Sequence, residues 1–106
     1  MTDVWVERYR KEVLPKLTDA LRPSSVLLFG SRAAGTARAE SDLDVIVVAE
    51  AFAGIAFVRR MAYVLGLARF PKHVDYLCYT REGSARIRES SSVIQTALRE
   101  CAELSV

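Results

Sequence analysis

The stretch "LLFGSRAAGTARAESDLDVIVV", residues 27–48, decides how this chain folds and what it holds. An apolar run closes at Gly30-Ser31, a loop of small and charged residues follows, and Asp42 and Asp44 head a second apolar run of Val and Ile. Strand residues two apart project from one face, so both carboxylates leave together. They repel one another and are costly in a core, which calls for solvent or a cation beside them. A hard divalent ion such as Mg²⁺ takes oxygen ligands, commonly one or two carboxylates with phosphate oxygens. A D-x-D pair at a strand mouth supplies that arrangement. The plainer alternative makes Ser41-Asp42 a turn and leaves Asp44 on an exposed edge.

Working outward, "SRAAG" directly after the first run reads as one helical turn. Gly30 lets a polyphosphate approach the backbone closely. Ser31 and the free N–H groups of a helix start are suited to hold phosphate oxygens, with Arg32 and Arg38 as neutralising cations nearby. A third carboxylate, Asp75, interrupts the apolar segment "HVDYLCY". If that segment is a strand beside the second one, Asp75 joins Asp42 and Asp44 around a pair of metal ions suited to in-line displacement at phosphorus. An edge-strand Asp in water is the alternative. His73, two residues earlier, reads as a solvated loop residue rather than a catalytic base.

Three runs have strand length and β-rich composition: residues 25–29, 43–49 and 74–79. The middle one is almost continuously apolar and is expected at the centre of the sheet. Ahead of them, Val6, Tyr9, Val13, Leu17 and Leu21 form a helical stripe that Pro15 should kink or divide. Ile55, Val58, Ala62 and Leu65 mark a second amphipathic helix ending near Pro71. A final helix is expected from an N-cap at Thr80 to about residue 103, through Ile87, Ile94, Leu98 and Cys101, with serines 90 to 92 weakening its middle. This alternation specifies an α/β layer fold with a small mixed or parallel sheet.

At 106 residues the chain has the length of one domain. Its charged fraction is 26% and its net charge +2, with the basic residues dispersed, so no basic stripe marks a strong nucleic-acid binder. The 2 cysteines, Cys78 and Cys101, lack metal-ligand spacing and read as free thiols of a cytoplasmic protein. The start "MTDVWVERYRKEV" has no signal-peptide core, and no segment has the apolar length to cross a bilayer. A small domain with an apolar N-terminal helix and Trp5 near its end is suited to pairing as a homodimer.

Gly30-Ser31, ten intervening residues, then Asp42-x-Asp44 reproduces G-S-x(10)-D-x-D. In this the chain resembles the DNA polymerase beta-like nucleotidyltransferases, and above all their minimal single-domain (MNT) members, over about residues 24–80. The resemblance implies one domain over residues 1–106, with helices packed on a small mixed sheet. It implies that Gly30 and Ser31 hold the β- and γ-phosphates, that Asp42 and Asp44 bind two Mg²⁺ ions, and that Asp75 completes the catalytic metal site. The implied reaction transfers a nucleoside monophosphate, most often AMP from ATP, to a hydroxyl with release of pyrophosphate. Minimal members are typically antitoxins paired with a helical HEPN ribonuclease toxin, which implies adenylylation of that partner. A binding module that neutralises a partner by masking it remains the competing expectation. Transfer to a small molecule is disfavoured, because relatives that do this carry an added domain to hold the drug.

Overall fold

The computed structural model describes residues 3–99 and 101–104. Two helices open the chain, α1 (Val4–Glu12) and α2 (Leu14–Leu21). The division expected from Pro15 occurs at Val13, which leaves the proline in the first turn of α2, where a missing N–H costs nothing. Asp3 caps α1, its carboxylate accepting from the backbone N–H groups of Trp5 and Val6. Strand β1 (Ser25–Phe29) leads into the short helix α3 (Gly30–Ala34), and the loop after it returns as β2 (Leu43–Val48). A 3₁₀ turn (Glu50–Gly54) and α4 (Phe57–Leu67) then carry the chain to β3 (Val74–Tyr79).

The sheet order is β3-β2-β1-β4, with β1–β2 antiparallel and β2–β3 parallel, so the sheet is mixed and β2 is interior as expected. Alternation sorts the side chains. Leu43, Val45 and Val47 of β2, with Val74, Tyr76 and Cys78 of β3, point into the main core beneath α1, α2 and α4. Ile46, Val48 and Leu27 point to the opposite face, where Leu98 and Cys101 pack on them. Tyr9 is fully buried and its hydroxyl shares a 2.9 Å hydrogen bond with that of Tyr76, tying α1 to β3.

Three details differ from the sequence expectation. The final helix is two helices, α5 (Arg81–Ser90) and α6 (Ser92–Arg99), because Ser91 is extended and its hydroxyl accepts from the Ile94 N–H. Ala102–Glu103 forms a short strand, β4, antiparallel to β1, where the helix was expected to continue. On α4, Val58 is 84% exposed and Leu65 is 43% exposed, while Val64 is buried. Phe57, Met61 and Tyr63 are also exposed there, so this helix is apolar on nearly every side and periodicity does not select the buried face. The Thr80 cap forms as expected, its hydroxyl accepting from Gly83 N–H. Cys78 and Cys101 are free; burial pushes the Cys78 thiol up to about 12, which removes it as a nucleophile.

Candidate functional site

Sheet register builds the site. Asp44, the second residue of β2, lies opposite Phe29 of β1 and, on its other side, opposite Asp75 of β3. The expected adjacency of the second and third strands therefore brings the two carboxylates side by side. Both lie on the face that carries Ile46 and Leu77, at the end of the strands where α3 begins. Asp42 is exposed just before β2, and ligand atoms of Asp42, His73 and Asp75 all lie within 4.8 Å of one another.

Gly30 closes the site from β1. Its φ of +72° is a left-handed conformation, and a Cβ at this position would press into the carboxylate of Asp44. Glycine is thus required twice over, by backbone geometry and by space. Ser31 is half-buried on α3, with its carbonyl accepting from the Thr36 N–H. Arg38 is exposed in the following loop, and no side-chain partner for it is found among the described residues.

Electrostatics at the site are those of an acidic cluster that is only partly compensated. Partial burial, followed by the nearby charges of Asp75 and Asp42, raises the pKa of Asp44 above the ordinary carboxylate value. His73 supplies some relief: its Nε2 lies 2.8 Å from Asp75 Oδ1, and that hydrogen bond raises the imidazole's pKa. The sequence position of His73 predicts a solvated loop residue. It is exposed, yet it is part of the cluster; its i, i+2 spacing from Asp75 was the available signal. A donor set of carboxylate oxygens with excess negative charge fits a hard divalent cation, so the residues present suit Mg²⁺.

Arg32 departs from expectation. Read from sequence as a phosphate-binding cation, it is instead turned inward, its side chain only 4% exposed. Nη1 pairs with Asp3 at 2.8 Å, Nε donates to the Ser41 carbonyl, and Nη2 reaches the carbonyls of Arg38, Ala39 and Ser41. A guanidinium so engaged has no free fork for phosphate; it clamps the loop that delivers Asp42. Lys72 adds a second clamp, donating to the Ala39 carbonyl at 2.8 Å. The partner that decides Arg32's role lies 29 residues away, on the cap of α1.

Among the described residues no helix is long and apolar enough to cross a membrane. No curated protein matches the chain. Among solved structures, a candidate nucleotidyltransferase from Sulfolobus solfataricus is similar at 23% identity and TM-score 0.61, covering 77% of this chain and 72% of that one. A toxin–antitoxin structure with AMP-PNP is similar at 21% identity and TM-score 0.60, covering 91% and 72%. BolA1 from Arabidopsis thaliana is similar at 22% identity and TM-score 0.54, covering 76% and 96%, so likeness of fold by itself does not choose the chemistry. The nucleotidyltransferase domain family, in contrast, matches residues 6–101, which span both the glycine-serine turn and all three carboxylates. The chain belongs to the nucleotidyltransferase domain family.

Proposed function

We propose that this chain is a single catalytic domain that transfers AMP from ATP, with Mg²⁺, to a hydroxyl of a partner protein. In this reading the partner is a helical HEPN toxin, and the chain is its cytoplasmic antitoxin. The observation that carries the proposal is the convergence of Asp42, Asp44 and Asp75 at one strand mouth beside the glycine backbone of residue 30. The similarity to a toxin–antitoxin structure with AMP-PNP supports the choice of nucleotide and of partner class.

Asp42 and Asp44 would hold two Mg²⁺ ions, with Asp75 completing one of the two sites. Bound there, the ions supply positive charge against the triphosphate and the phosphoryl group in transfer. Gly30 lets the β- and γ-phosphates lie along the backbone, Ser31 donates its hydroxyl to them, and Arg38 neutralises them from the exposed loop. Arg32 acts by holding the loop carbonyls and so fixing where Asp42 emerges. The carboxylate of Asp75 orients the acceptor hydroxyl and takes its proton. The acceptor oxygen then bonds to the α-phosphorus as the bond to the bridging oxygen breaks, and pyrophosphate leaves in line with that electron pair.

A second reading, neutralisation by masking without transfer, is favoured by the exposed apolar residues of α4, including Phe57, Val58 and Met61. One experiment separates the two. The protein is incubated with Mg²⁺ and ATP labelled at the α-phosphate in lysate from its own source. A labelled protein band that disappears with Asp42→Asn supports transfer and identifies the acceptor by mass. Absence of any band, with ATP binding retained, overturns transfer in favour of masking.

A further inference from the structure

A second polar cleft lies on the same sheet face as the carboxylates but at the far end of the strands, where Ser25 pairs with Val48. Asp44 and Val48 are four residue steps apart along β2, a span of about 13 Å. The cleft has a volume of about 290 Å³ and is lined by Ser24, Ser25, Arg81, Ser84 and Arg88, among others. It belongs to no part of the nucleotidyl-transfer site.

Ser84 is the informative residue. It is only 9% exposed, it lines this cleft, and its hydroxyl has no hydrogen-bond partner among the described residues. Three other helical hydroxyls do otherwise: those of Thr18, Ser90 and Thr96 each donate to the carbonyl four residues earlier. Ser84 forgoes that bond and stays available to the cleft. The side chain is nearly buried, but its oxygen still reaches open space, so whatever fills the cleft, water or a ligand, completes its hydrogen bonding.

The surrounding charge indicates which ligand. Arg81 and Arg88 are exposed, and neither guanidinium has a carboxylate partner among the described residues, whereas Arg86 on the same helix is paired with Glu82. Glu50 occupies the Arg81 N–H at 3.0 Å, so the helix start is already satisfied and the attraction must come from the two side chains. Two guanidinium groups lining one cleft with the Ser84 hydroxyl suit the charge and the acceptor oxygens of phosphate; the Ser24 hydroxyl is already given to the Val48 carbonyl. A neighbouring cleft of about 490 Å³ shares Arg88 and is lined by Leu27, Leu98 and Cys101, which gives an apolar ester group a place to lie.

We infer that the cleft between the start of β1 and α5 is a phosphate-binding site, separate from the carboxylate cluster, that takes either a phosphate monoester or free phosphate. The test is a titration of ¹⁵N-labelled protein with inorganic phosphate at constant ionic strength. Saturable shifts centred on Ser25, Arg81, Ser84 and Arg88 are expected. Arg81→Gln/Arg88→Gln should weaken binding by at least about tenfold, through loss of charge-assisted bonds. Ser84→Ala should weaken it by about threefold, near the lower range of a single hydrogen bond, with the rest of the spectrum unchanged.

Shifts that rise without saturating, that persist in the double variant, or that centre on Gly30 and Ser31 overturn the inference. Asp44→Asn should leave the titration unaltered, which keeps this outcome independent of the transfer proposal. A parallel titration with phenyl phosphate distinguishes the two sources. Tighter binding with added shifts at Leu27 and Leu98 assigns a monoester, and equal binding assigns free phosphate.

Discussion

Replacing Asp3 tests how far the carboxylate site depends on a residue outside its motif. Asp3 does two things: it caps α1, and it pairs with the buried guanidinium of Arg32. Loss of a helix cap costs about 1 kcal/mol. Unpairing a fully buried ion pair costs roughly 3–5 kcal/mol. Here the Asp3 side chain is 27% exposed and Arg32 keeps its loop carbonyls, so about half the lower figure applies, ~1.5 kcal/mol. Asp3→Ala should therefore lose about 2.5 kcal/mol, a fall in Tm of roughly 10–15 °C for a domain of this size. Asp3→Asn, which retains a capping side chain, should lose only the ion-pair share, about 1.5 kcal/mol.

The pH dependence follows from the direction of the shift. Burial acts to raise the Asp3 carboxyl, but hydrogen bonds from Arg32 and the Val6 and Trp5 backbone, with the Arg32 charge, outweigh it and hold its pKa below 3.8. A depressed carboxylate contributes stability that is complete above its unfolded value and is lost as pH falls through the folded one. The gap between wild type and Asp3→Asn in urea unfolding should thus be constant at neutral pH and close as the pH drops below about 4. A gap under about 0.5 kcal/mol at pH 7, or one unchanged at pH 3, would refute the clamp as described.

Three further outcomes are expected. Gly30→Ala must adopt a left-handed backbone, at about 1–2 kcal/mol, and press on Asp44; unfolding should show at least that loss and calorimetry a sharp drop in ATP affinity. Asp44→Asn removes a like-charge pair across β2 and β3, so the metal-free protein should gain up to about 1 kcal/mol in unfolding, while stabilisation by Mg²⁺ with ATP is lost; a variant that still responds to Mg²⁺ and ATP as wild type does would count against the site. Tyr9→Phe leaves the Tyr76 hydroxyl without its buried partner and should cost about 1–2 kcal/mol, with transfer assayed on the same sample to check that the carboxylate strand is displaced.

Much of the fold was legible because its signals are local. Proline at position 15 marks the division of the first helix, and the β-branched runs mark β1 to β3 to within a residue. The D-x-D spacing was less direct: Asp42 lies just before β2, so only Asp44 follows the alternation of the strand. What escaped depends on distant partners or on too few residues. The two-residue β4 has no periodicity to detect; it exists because Leu27 and Leu28 offer it an edge. On α4, apolar residues surround the helix, and only packing singles out Val64. Arg32 displays its charge in the sequence but not the acid that claims it, so a structural clamp read as a ligand contact. His73 is the exposed residue before β3 that its sequence position suggests, but its hydrogen bond to Asp75 becomes visible only once β3 is placed.

Helix α1 has a consequence that the motif conceals. At one end Asp3 holds Arg32, which grips the loop leading to Asp42, and two turns later Tyr9 grips the residue beside Asp75. Both arms of the acidic cluster hang from the same rod. Anything that leans on this rod, a docking protein or a shortened N-terminus, alters the spacing of the carboxylates without touching them. The smallest working piece of this protein is therefore larger than the piece that bears its signature.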